Sequence, residues 1–196
     1  MNLCIFRIKG AIMKLKYFIP IFALATATAA NALPFKIAPY GEFGWLWADG
    51  DGISNSQIDF EDSDIGLRGQ LGAIIRKTVV ADLFVQTGIV AGGAFAQYKN
   101  KPLVYNHYYL KRGHFGIPLS VGYTFIDKIN VQAGTQFNME HSDTHYVNHE
   151  YHAYHAEFDF TAGVSYNITE NNELGIKLTI RPNETALGVS YNYWIF

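Results

Sequence analysis

Over most of this chain apolar side chains recur at every second position, with small, polar or charged residues between them. In residues 157–168, Phe158, Phe160, Ala162, Val164, Tyr166 and Ile168 share one phase; Glu157, Asp159, Thr161, Gly163, Ser165 and Asn167 share the other. Successive side chains of a strand point to opposite faces, so a period of two marks a two-faced strand. The pattern restarts in segment after segment, with no helical period between them. Two-faced strands without helices to cover them must pair with one another. The arrangement that leaves no unpaired edge is a closed antiparallel barrel.

Eight such segments can be traced, at 37–48, 63–75, 79–98, 103–125, 129–140, 157–168, 174–181 and 187–195. The connections after the second, fourth and sixth are short, at 76–78, 127–128 and 170–172. Those after the first and fifth, 49–62 and 141–156, are long. An even strand number with short turns at one end and long ones at the other is the asymmetry of outer-membrane barrels. Several segments reach about 10 alternating residues, the length a tilted strand needs to cross the hydrocarbon layer.

Alternation alone does not say which face points inward. A soluble periplasmic, lipocalin-like barrel would bury the apolar face around a small hydrophobic ligand; a membrane barrel reverses this. Three features favour reversal. The polar phase is rich in Gly, Ser, Thr, Gln and Asn, which fit the narrow interior of eight strands. It carries charges of both signs, Glu42, Arg68, Asp82, Lys177 and Arg181, as a self-neutralising interior requires. Aromatic residues of the apolar phase gather near segment ends (Trp45, Trp47, Tyr123, Phe125, Tyr166, Tyr191 and Tyr193), as in the belts at membrane–water interfaces. The expected fold is therefore all-β: an eight-stranded antiparallel transmembrane up-and-down β-barrel.

The first 32 residues differ in kind. Lys14 and Lys16 precede an apolar run at 17–25 and a small-residue end, Ala30-Asn31-Ala32. This is the pattern of a cleavable signal peptide, with 33–196 as the barrel domain. Met13 is an alternative start. Of 15 basic and 17 acidic residues, four basic ones (Arg7, Lys9, Lys14 and Lys16) lie in the signal, leaving 11 against 17 and a net charge of −6. That balance argues against a nucleic-acid partner. The single cysteine, Cys4, leaves with the signal, so the mature chain has no disulfide framework or thiolate site.

With this architecture and its terminal Phe196, the chain resembles the small eight-stranded outer-membrane barrels of Gram-negative bacteria, similar to the OmpA transmembrane domain and the OmpX/opacity porin-like group. The resemblance implies an outer-membrane location, contact with lipid and lipopolysaccharide, and recognition of the C-terminal aromatics by the barrel-assembly machinery. Trp194 and Phe196 are the residues that match that signal. Asn192 departs from it, and the apolar run ending at Ile195 is in the opposite phase to Phe196.

Three sets of residues bear on function. The inward charges Glu42, Arg68, Asp82, Lys177 and Arg181 are expected to pair and fill the lumen, since an unpaired buried charge is costly. General porin activity is not expected; a narrow gated pore is the sharper alternative. Five histidines, His141, His145, His149, His152 and His155, crowd one expected external loop beside Asp143 and Glu150, a composition that suits zinc, copper or nickel. Asp49, Asp51, Asp59, Glu61 and Asp62 make the first loop acidic, without the spacing of a Ca²⁺ loop. A lipid A-modifying enzyme is the other alternative. The similar deacylase barrels use a His-x-Ser pair, which this sequence lacks. The expectation is a non-enzymatic surface protein without a cofactor, meeting a host or surface ligand through its external loops.

Overall fold

The alternating segments close into one sheet. The computed structural model describes residues 35–48, 65–99, 107–146, 149–182 and 184–195, with the side chains of all but 65, 98–99, 107–108, 144–146 and 149–151. The expected signal segment 1–32, the acidic stretch 49–62 and Phe196 lie outside the described residues. The strands are β1 (Phe35–Ala48), β2 (Ile65–Val80), β3 (Leu83–Lys99), β4 (His107–Phe125), β5 (Ile129–Tyr146), β6 (His149–Asn167), β7 (Asn172–Arg181) and β8 (Glu184–Tyr193). Each pairs antiparallel with the next, and β8 returns to β1 between Tyr40↔Asn192 and Ala48↔Glu184, closing the barrel.

Burial follows the period of two, with the apolar phase outside. Phe43 is 60% exposed and Leu71 71%, whereas Gln136 and Asp159 are fully buried. A water-soluble barrel would show the opposite. The exterior is uncharged from Leu83 to Phe95 on β3, from Phe115 to Phe125 on β4 and from Ile129 to Met139 on β5. Runs of this length rise roughly 25 Å at the usual strand tilt, the height of the apolar band on a membrane barrel. Closure also satisfies the backbone, which lipid cannot do.

Small residues on the inward phase make room for the large ones. A Cβ on Gly122 would meet the Phe84 ring at 2.2 Å, and one on Gly116 would lie 2.3 Å from the Asn138 amide oxygen. Phe84 and Asn138 fill space that those glycines leave.

Two turn expectations change. The β2–β3 turn falls at Ala81 and Asp82, not at 76–78. Thr78, Val79 and Val80 are β-branched and extend the strand, with a register shift between Thr78 and Val80. Asp82 is therefore not a lumen charge. It sits exposed in the turn, where its carboxylate accepts a hydrogen bond from the Tyr123 hydroxyl at 3.2 Å. The stretch 141–156 is not a loop over most of its length. β5 and β6 stay in register from Ile129↔Tyr166 to Tyr146↔His149. A two-stranded ribbon needs no core if facing side chains hold one another, and here they do: His141 stacks on Tyr154 at 4.5 Å, and Asp143 bonds His152.

The strands are unequal. β3, β4, β5 and β6 have 17 to 19 residues, β7 and β8 only 10 each. Pairing between β6 and β7 begins at Phe160↔Ile180, so residues 149–159 of β6 pair with β5 alone. The ends carrying the short turns are level. Among the described residues, the opposite rim rises as a wall on the β3–β6 side.

Candidate functional site

The lumen is filled by charges at four successive levels. Nearest the short turns, Glu173 takes both guanidinium nitrogens of Arg76, at 2.8 and 3.0 Å. The same carboxylate accepts from Ser165 Oγ at 2.6 Å, Trp194 Nε1 at 2.9 Å and Asn192 Nδ2 at 3.3 Å. Arg76 lies over the rings of Phe84 and Trp194, at 4.1 and 4.3 Å from their centroids. An arginine against two rings is held by their π density and at its edge by a carboxylate.

In the middle, Lys177 donates to Glu42 Oε2 at 2.9 Å and to the Tyr40 hydroxyl at 3.2 Å. Gln70 donates to the same Glu42 oxygen at 2.8 Å, and Tyr40 also donates to it. The Gln70 carbonyl lies 3.1 Å from both Gln136 Nε2, which donates to it, and His114 Nε2. Above them Asp159 joins Arg68 at 3.0 Å and Arg181 at 2.9 Å. At the outer mouth Arg181 reaches Glu140 at 2.9 Å, Arg112 grips Glu184 through both terminal nitrogens, and His155 Nε2 lies 3.2 Å from Glu140.

Glu42, Arg68, Lys177 and Arg181 thus sit where the alternation places them. Their partners Asp159, Glu140, Arg112 and Glu184 follow the same inward phase on their own strands, which is the signal that could have found them. Arg76 and Glu173 escape the sequence reading because the first falls in an expected turn and the second beside one. Trp194, expected only as part of an assembly signal, is buried and caps the lumen floor. A cavity of about 20 Å³ between Tyr40, Ile74, Pro118, Gln132 and Lys177 has room for roughly one water.

The histidines do not form one cluster. His141 and His152 project from the outer face, where both reach Asp143 Oδ1, at 2.9 and 2.5 Å. His155, three residues on, is in the opposite phase and turns into the mouth. His145 stands opposite Glu150 in the ribbon and His149 opposite Tyr146; their side chains lie outside those described.

An apolar exterior, a salt-bridged interior and eight meandering strands decide the class. This chain has the fold of the small outer-membrane β-barrels. No protein-family model and no curated protein sequence matches it. Among solved structures, it resembles the attachment invasion locus protein Ail of Yersinia pestis in complex with the heparin analogue sucrose octasulfate. The TM-score is 0.56 at 7% identity, over 83% of this chain and 100% of Ail. A second crystal structure of Ail gives 0.53 at 8% identity, over 82% and 98%. Identities this low make the likeness one of fold. For this barrel it matches what the register and the inverted burial already require.

Proposed function

We propose that this barrel is a non-conducting, non-enzymatic surface protein, anchored in the outer membrane to hold the raised β3–β4 and β5–β6 hairpins outside the cell. A filled lumen combined with the outer wall formed by β3 to β6 carries this reading. A pore needs an open path. Here Arg76, Lys177, Arg68, Arg181 and Arg112 each meet a carboxylate at successive levels of the interior. Binding needs a presented surface, and the long strands supply one with aromatic and imidazole side chains on a firm ribbon.

Ail is described with a heparin analogue. A sulfated polyanion is a poor match for this chain, whose expected mature net charge is −6 and whose stretch 49–62 is acidic. The chemistry of the raised wall favours a protein or glycan surface met through aromatic stacking and imidazole hydrogen bonds.

The test uses cells expressing the full chain and cells expressing a variant in which residues 144–151 are replaced by a short Gly-Ser turn. Both are scored for adherence to immobilised extracellular-matrix proteins and to epithelial monolayers, and the purified barrel is inserted in planar bilayers. Adherence that requires the hairpin, with silent bilayers, is the expected result. Steady single-channel conductance, or adherence indifferent to the hairpin, would overturn the proposal.

A further inference from the structure

Two groups of potential metal ligands stand on the β5–β6 ribbon, back to back across the sheet. The inner group, Glu140, His155 and Glu157, is already engaged. Arg181 and Arg112 lie 2.8 and 3.4 Å from Glu140, so a cation there would displace guanidinium groups from a buried carboxylate. In the outer group, His141, Asp143 and His152, the carboxylate is met by the two imidazoles themselves.

We infer that His141 and Asp143 of β5 and His152 of β6 form a surface site for a first-row divalent metal ion of the zinc class, on the outer wall just above the membrane band. The ligand atoms, His141 Nε2, Asp143 Oδ1 and His152 Nδ1, all lie within 4.8 Å of one another. Ligands about 2.0–2.1 Å from a tetrahedral zinc ion are separated by roughly 3.3 Å, so side-chain rotations of an ångström or so complete the site. Two features limit how far the rings must be ordered. Asp143 and His152 are direct cross-strand partners. The His141 ring is stacked on Tyr154 at 4.5 Å and lies nearly parallel to the His152 ring, at 12°.

Both imidazoles share a single carboxylate oxygen, an arrangement that one cation between the three groups would serve better than two protons. A neutral ring meets the metal by shifting its proton to the other nitrogen; a protonated ring releases the proton that faces Asp143. The group level with the site on the neighbouring strand is Lys111, opposite Asp143 in register, so the site is not an unbalanced anionic patch that would collect Ca²⁺ or Mg²⁺. Two nitrogen donors and one oxygen donor, half-exposed, leave the remaining coordination positions to water or to a donor from a surface ligand. The site stands whether or not the wall is adhesive.

The experiment is calorimetric titration of Zn²⁺ into the untagged, refolded full barrel, alongside His152→Ala, Asp143→Asn and His155→Ala. Each variant is first checked for the heat-modifiable gel shift of a folded barrel. One equivalent should bind the parent and His155→Ala alike. His152→Ala and Asp143→Asn should each bind at least roughly tenfold more weakly, since even outer-shell partners of a metal site carry that much. Cu²⁺ bound in place of Zn²⁺ should show electron-spin-resonance coupling to two nitrogens, falling to one in His152→Ala. Absence of saturable binding, binding unchanged in His152→Ala, or binding lost in His155→Ala would each overturn the assignment.

Discussion

Replacing Glu173 with glutamine keeps its shape and removes its charge from the most heavily shared carboxylate of the lumen floor. Glu173 Oε2 accepts from Arg76 Nη1 and Trp194 Nε1, while Oε1 accepts from Arg76 Nη2, Ser165 Oγ and Asn192 Nδ2. A glutamine has one acceptor and one donor end. Whichever way it turns, its NH₂ faces at least two donors, and Arg76 loses its counter-charge in the lumen. Breaking a buried pair from one side costs about 3–5 kcal/mol. Arg76 also rests against the Phe84 and Trp194 rings, which soften its isolation, so the lower end, about 3 kcal/mol, is expected. The assay is urea unfolding of the refolded barrel in lipid vesicles, followed by gel mobility and tryptophan emission. Removing both charges, as Arg76→Met with Glu173→Met, should recover most of the loss, because no unpaired charge is left behind. A Glu173→Gln barrel within ~0.5 kcal/mol of the parent, well inside that expected cost, would contradict this electrostatic account. So would a double variant less stable than the single one.

Lys177→Glu places a second carboxylate against Glu42, where the ammonium sits at 2.9 Å, and should lower the urea midpoint more than Lys177→Met does. Ile126 is β-branched yet held at φ 53° in the β4–β5 turn. A left-handed conformation costs such a residue about 1–2 kcal/mol, so Ile126→Gly should stabilise the barrel, seen as a higher urea midpoint. Trp45 and Trp47 face outward and Trp194 inward. Brominated lipids should quench emission from the first two and spare that remaining in a Trp45→Phe, Trp47→Phe variant; equal quenching of all three would contradict the inverted burial.

Much of the barrel is legible in the order of residues. Period two assigns each side chain to a face whatever the strand does later, so Glu42, Arg68, Lys177 and Arg181 share one face, and the small, polar and oppositely charged residues of that face mark it as the inner one. The same rule, applied through 141–156, separates His155 from His141 and His152 once that stretch is known to be strand. Its polar residues read as a loop, and polarity does not distinguish a loop from a ribbon that stands clear of the membrane. Asp82 departs from its expected place for a related reason. Phase is local, but where a strand stops depends on how far its neighbour pairs with it, and β2 runs on to Val80.

The two-faced strands, their number and the phase in which each charge lies follow from backbone geometry one residue at a time, and so are properties of the chain before it folds. Which charges meet is another matter. Arg68 and Asp159 stand 91 residues apart, and Arg76 and Glu173 are separated by 97. They are joined only when β8 closes on β1 and the register around the barrel fixes their heights. The position of Asp143 between two imidazoles likewise exists only in the folded barrel. Such contacts depend on the relative slide of strands, which no local period records.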